Sequence, residues 1–246
     1  MRKVLHRIFF LIFLGALAGL LWYGVNGWRQ QHKYAVLREH LEQEQERAME
    51  EEGVSRTRFE ILQEINPDVK AYIEIPETKL SYPVMQSSLE DGNWYLMRDI
   101  YGDWDYYGTP FADIRCDMEA PSRNLWIYGH NMSSGRMFGS LRNYRKKSYF
   151  EEHPKIEFEC EEGVKTYEVA AVIELDISQP EDAELFLFVD PQTEEAYEGY
   201  LEEIRKRCIY ATGVELTAED YLISLTTCGR LEAGTPRRLV VVGRLL

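Results

Sequence analysis

Two residues in this sequence stand where an apolar strand would deliver a reactive side chain. Cys228 ends the run Leu222-Ile-Ser-Leu-Thr-Thr-Cys228, and His130 ends Trp126-Ile-Tyr-Gly-His130. A thiol attacks as its thiolate, which needs a base or a cation close by, and the acyl-transfer intermediate that follows needs a donor for its developing oxyanion. Of the five histidines, His6 and His32 flank an apolar amino-terminal run, His40 lies in a charged stretch, and His153 precedes Pro154 in a polar segment. His130 is therefore the candidate base. Arg238 opens the closing apolar run and is the candidate oxyanion donor, with Arg237 beside it and Arg230 near the cysteine as competing choices. Each residue alone also has an inert reading: the histidine as a structural hydrogen-bonding group, the cysteine as a small buried hydrophobe, the arginine as a charge that blunts a sheet edge.

The other cysteines, Cys116, Cys160 and Cys208, show no C-x-x-C spacing with Cys228 or one another, which argues against a structural zinc site. Disulfides among these three stay open, whereas a nucleophilic Cys228 must remain unpaired.

The elements that would position these residues are mostly strands. From Val69 the hydrophobic period moves towards two, and Ala71–Pro76 with Leu80–Gln86 reads as a strand pair around Glu77-Thr-Lys79. Asp91–Asp105 is aromatic and glycine-punctuated, an ordered loop. Thr109–Asp113 and Leu125–Gly129 read as strands, Met137–Arg145 as a short helix, and Lys155–Glu161 with Lys165–Asp176 as a hairpin turning at Glu162-Gly163. Residues Gln192–Tyr210 carry apolar positions at three-to-four spacing, a long helix; Tyr221–Thr227 and Arg238–Leu245 close the chain as strands. About eight short strands with few helices predict a mainly β closed barrel or sandwich with helical insertions.

The 246 residues, 45% of them hydrophobic, suffice for one folded domain plus an appendage. Residues 1–33 hold five Lys/Arg and no Asp/Glu, so the rest carries 23 basic against 42 acidic residues, a net charge of −19. Such a surface repels phosphate backbones, and nucleic acid is not an expected partner. Ile8–Val25 is an uncharged run of 18 residues that continues to Trp28, enough helix for roughly 30 Å of bilayer. Arg2, Lys3 and Arg7 precede it, and Trp22, Tyr23 and Trp28 mark its far end. The expected organisation is a cytoplasmic tail over 1–7, a membrane-spanning anchor over 8–28, a helical stalk or linker over 29–55 and a catalytic domain over 56–246 outside the membrane. A cleaved signal peptide at Ala16-Leu17-Ala18 is the competing reading. The stalk helix, Lys33–Glu52, should end at Gly53, and a short helix over Arg56–Ile65 should stop at Asn66-Pro67.

Taken together, Tyr128-Gly-His-Asn-Met132, Met137-Phe-Gly-Ser-Leu141, Leu225-Thr-Thr-Cys228 and Arg237-Arg-Leu-Val-Val-Val242 resemble the ordered motifs of a sortase, specifically a class B sortase of Gram-positive bacteria. Ile65-Asn-Pro-Asp-Val69, Ile73-Glu-Ile-Pro76 and Ser81-Tyr-Pro-Val-Met-Gln86 resemble the start of that domain. The long helix ahead of the cysteine strand is also a class B trait. The resemblance covers roughly residues 56–246 and the amino-terminal anchor. It implies a closed eight-stranded β-barrel with helical insertions, with Cys228 as nucleophile, His130 as its partner and Arg238 as the arginine. Thr226 matches a small hydroxyl position of the substrate groove, and Leu96 an apolar one. Class B chains usually carry an Asp-Asn pair where this one has Asp91-Gly-Asn93, so no asparagine role is carried over. Gly229-Arg230 stands where an acidic residue is common, so no third carboxylate is assigned.

The resemblance implies a membrane-anchored cysteine transpeptidase needing no metal or organic cofactor. Its partners would be secreted proteins bearing a carboxyl-terminal sorting signal, and the acceptor an amine of cell-wall precursor or a pilin lysine. The alternatives are a thiol peptidase that releases product to water and a catalytically silent, membrane-anchored binding domain.

Overall fold

The computed structural model describes residues 2–51, 53–87, 89–120, 122–228 and 236–246, with Gln30, Gln31 and Cys228 described by their backbone alone. The chain forms two compact units, Met1–Ser55 and Arg56–Leu246. The first is one continuous helix, α1 (Arg2–Glu51). No proline interrupts residues 2–51, so the helix expected over Lys33–Glu52 continues unbroken from the apolar run before it and ends before Gly53 at φ 65°. Part of α1 has a mean hydropathy of 2.3 over 18 residues, long and apolar enough to cross a membrane.

The second unit begins with α2 (Arg58–Ile65). A reciprocal cap starts it: the Glu60 backbone N–H donates to Thr57 Oγ1 at 3.1 Å, and the Thr57 N–H donates to Glu60 Oε2 at 2.7 Å. The eight strands follow as β1 (Val69–Glu74), β2 (Ser81–Met85), β3 (Phe111–Ala112), β4 (Asn124–His130), β5 (Lys155–Cys160), β6 (Gly163–Asp176), β7 (Leu222–Cys228) and β8 (Arg237–Leu245). They close a barrel in the order β1-β2-β3-β4-β7-β8-β6-β5. Among the described residues each strand is thus paired on both sides, as the expected closed eight-stranded barrel requires. Helices α3 (Lys147–Glu152), α4 (Pro180–Phe186) and α5 (Glu194–Arg207) are inserted between strands.

Strands β4 and β7 are parallel over seven residue pairs, unlike their mostly antiparallel neighbours. Parallel strands covered on both faces require near-continuous apolar sequence, and Leu125, Ile127, Leu222, Ile223 and Leu225 are all buried. Their starting ends are tied by a buried polar network. Ser224 Oγ donates to Asn124 Oδ1 at 2.8 Å, while Asn124 Nδ2 donates to the Tyr200 hydroxyl of α5 at 2.8 Å. Satisfying every one of these groups pins α5 and both strands in one register.

The short helix expected over Met137–Arg145 is a 3-10 helix over Phe138–Arg145, and the loop Asp91–Asp105 contains a 3-10 turn over Trp94–Met97. Cys116, Cys160 and Cys208 are thiols not joined by disulfides. Burial, the dominant cause, pushes the Cys116 thiol up to about 12, which keeps it protonated and unreactive at neutral pH.

Candidate active site

Parallel pairing brings the ends of β4 and β7 together. His130 is the register partner of Cys228, and Gly129 that of Thr227, so the paired backbones lie about 4.8 Å apart. On the other side of β7, Thr226 pairs with Val240 of β8. Two residues further along these antiparallel strands stand Cys228 and Arg238. Three residues separated by up to 108 positions thus converge at one end of three neighbouring strands. The Cys228 thiol and Arg230 lie outside the described residues. Register also separates the two candidate arginines: Arg237 is exposed and pairs with Asp176, whereas Arg238 lines the groove described below.

His130 is buried, and its Nε2 lies 2.7 Å from the carbonyl oxygen of Leu96. A carbonyl only accepts, so Nε2 carries the hydrogen and donates it. In the neutral ring Nδ1 is then the nitrogen that takes up and gives back a proton. Leu96 belongs to the 3-10 turn, which the Asn66-Pro67 corner fixes. The Tyr95 hydroxyl donates to Asp68 Oδ2 at 2.8 Å, and Asn66 Nδ2 donates to the Ile100 carbonyl at 2.7 Å. Burial and that bond to Asp68 push the Tyr95 hydroxyl up to about 12, so it remains a donor. The turn is buttressed by Gly108, at φ 58°, where a Cβ would stand 2.3 Å from the Leu96 oxygen. Only glycine permits both that conformation and that approach.

Beside Arg238 and Thr227 runs a groove with a cavity volume of about 550 Å³. Leu96, Phe111 and Ile177 give it apolar walls, and Phe186 and Leu187, at the end of α4, close one side. A polar cluster lies in its floor. Asp113 accepts from Arg115 Nε at 2.8 Å, from a terminal Arg115 nitrogen at 2.7 Å and from the Tyr128 hydroxyl at 2.6 Å. Burial works against the Asp113 carboxylate, but the bonds from Arg115 and Tyr128 outweigh it and hold its pKa below the usual carboxylate range. Burial and the same carboxylate push the Tyr128 hydroxyl far above its ordinary value, so it stays protonated.

The sequence-derived groove residues divide. Leu96 lines the groove, and its carbonyl also holds His130. Thr226 is fully buried with its hydroxyl 3.4 Å from the Leu239 carbonyl, and the groove is lined by its neighbour Thr227. Gly92 and Asn93, to which no role was carried over, lie on the groove. Sequence reasoning passed over Asp113, Arg115 and Tyr128, because the cluster joins residues from β4 and the end of β3 that no local pattern connects. It also passed over α4, whose Pro180-Glu-Asp182 start, with proline at the first turn followed by acids, was a legible helix signal.

The family model of the sortase domain matches residues 73–246. The chain belongs to the sortase family. It is 30% identical over 196 residues to sortase B of Listeria monocytogenes, covering 79% of this chain and 76% of that protein. To sortase B of Staphylococcus aureus it is 26% identical over 226 residues, covering 87% of this chain and 90% of that one. A structure of Staphylococcus aureus sortase B in complex with substrate superimposes with a TM-score of 0.76 at 25% identity, covering 88% of this chain and 97% of that chain. These likenesses place the chain in class B, as its motifs implied, and make it a cysteine transpeptidase of the cell-wall anchoring type.

Proposed function

We propose that this transpeptidase cleaves a sorting signal near the carboxyl end of secreted proteins through a thioester on Cys228. The observation that carries the reading is the convergence of His130, Cys228 and Arg238 at one end of β4, β7 and β8. In the first half-reaction the Cys228 thiolate adds to the scissile carbonyl carbon, commonly that of a threonine. Arg238 donates to the oxyanion, and His130 gives its proton to the departing amide nitrogen as the C–N bond breaks. In the second half-reaction an amine, from cell-wall precursor or a pilin lysine, loses a proton to His130 and adds to the thioester. The C–S bond then breaks and the thiolate returns. With Nε2–H engaged by Leu96, Nδ1 is the atom assigned to both proton transfers. Leu96, on the groove wall, is assigned to bind the signal; Thr226, being buried, is assigned to support β7 from within.

The apolar part of α1, long enough to span a bilayer, is assigned as a single membrane anchor, and Arg2, Lys3 and Arg7 ahead of it favour an amino terminus in the cytoplasm with the barrel outside. Anchoring there holds the enzyme beside exported substrates and lipid-linked acceptors. The test is product analysis of the full chain in detergent, with a library of pentapeptide signals, with and without added amines. An amide-linked product that Cys228→Ala cannot form is expected. Hydrolysis alone with every amine would favour the thiol peptidase, and unimpaired turnover by Cys228→Ala would overturn the assignment.

A further inference from the structure

Helix α4 is seven residues long, and its last turn supplies the Phe186–Leu187 side of the groove. A helix that short has no stability of its own, so its place depends on what grips it. Its carboxyl end presents backbone carbonyls, and the barrel answers two of them. Trp126 Nε1 at 2.6 Å and Asn124 Nδ2 at 3.2 Å both donate to the Phe188 carbonyl. Arg115 donates to the Leu187 carbonyl at 2.8 Å. Trp126 and Asn124 are buried, while Arg115 faces the groove with its side chain 41% exposed. The same guanidinium grips both oxygens of Asp113, which also takes the Tyr128 hydroxyl. One planar fork therefore links the groove floor, Asp113 just past β3 and Tyr128 on β4, to the groove wall at the end of α4. A cation at a helix carboxyl end is the favourable placement, and Asp113 fixes its orientation.

We infer that Arg115 is a positioning residue, which clamps the end of α4 to the Asp113–Tyr128 floor and so sets the width of the groove for the acyl-donor peptide. The inference rests on the proposed reaction for its substrate and on the hydrogen bonds alone for its geometry. The clamp acts on peptide binding and leaves the reacting atoms untouched. Lysine cannot replace it, because one ammonium does not offer a rigid fork to the carboxylate and a third N–H to Leu187.

The experiment compares wild type, Arg115→Met and Arg115→Lys as full chains in detergent. Three quantities are measured: KM and kcat for a sorting peptide, amide hydrogen exchange over residues 183–189 without peptide, and Cys228 labelling by a methanethiosulfonate. Both variants should raise KM about tenfold with kcat held within about twofold. Exchange over 183–189 should quicken about tenfold, with labelling little changed. A raised KM with unchanged exchange would overturn the inference, because the arginine would then be touching the peptide directly. Unchanged KM would overturn it as well. Should Arg115→Met not fold, Arg115→Lys carries the same comparisons. Were wild type to turn over no peptide, the proposed reaction would fail, and faster exchange in the variants would still support the clamp while unchanged exchange would overturn it.

Discussion

Gly108→Ala probes how His130, the histidine proposed to carry the proton transfers, is held. A Cβ at this position would stand 2.3 Å from the Leu96 carbonyl oxygen, the acceptor of His130 Nε2 at 2.7 Å. An ordinary carbon–oxygen contact is about 3.3 Å, so carbonyl and methyl must part by about 1 Å. Moved by that much, the acceptor leaves the range of a good hydrogen bond. The backbone adds its own cost, because φ at Gly108 is 58° and an alanine there pays about 1–2 kcal/mol. Gly102 supplies the control: its φ is 82°, and a methyl added there would meet nothing within 4 Å. Gly102→Ala should cost about 1–2 kcal/mol, a Tm loss of about 2–4 °C per kcal/mol, and leave turnover unchanged. Gly108→Ala should lose more stability and about 100-fold in kcat, the size of loss that a 1 Å misplacement can cause. Calorimetry and peptide turnover on both variants decide the matter. Equal losses in the two, or full kcat in Gly108→Ala, would refute the claim that Leu96 holds His130 in its working orientation.

Two further outcomes follow from the packing and the charges. Gly129→Ala places a Cβ 2.6 Å from the buried Phe138 ring, an overpacking cost of about 1–3 kcal/mol. Adding Phe138→Leu should recover part of it, so thermal melts of the double-mutant cycle should be non-additive by about 0.5–3 kcal/mol; strict additivity would contradict the contact. Because the folded-state pKa of Asp113 is depressed, its carboxylate adds stability above the ordinary carboxylate value, lost as pH falls through its own lower one. The Tm gap between wild type and Asp113→Asn should therefore be widest near neutrality and close in acid. A gap independent of pH would show that the charge contributes nothing.

The barrel was legible because its strands announce themselves by period and by apolar runs: Leu222–Cys228 and Val240-Val-Val242 admit few other readings. The convergence of His130, Cys228 and Arg238 was legible for a related reason, since each stands at one end of such a run and strand ends meet in a barrel. What the sequence hid was created by pairing across it. The Asp113–Arg115–Tyr128 cluster joins the segment just past β3 to β4, and the histidine's acceptor is a backbone carbonyl that no side-chain pattern reports. Thr226 shows the limit of carrying a role by position: strand alternation places it in the core and its neighbour Thr227 on the groove. The change of composition at Arg29 leaves no mark on the backbone, because nothing there breaks a helix and α1 runs on through it.

Whether Cys228 carries the acyl group is tested most directly by intact-protein mass spectrometry of the full chain, quenched during turnover of a sorting peptide without an amine. The expected result is an added mass equal to the amino-terminal peptide fragment, mapped to Cys228, lost on adding an amine and absent in Cys228→Ala. An adduct on Cys116, Cys160 or Cys208, or turnover in Cys228→Ala, would contradict it.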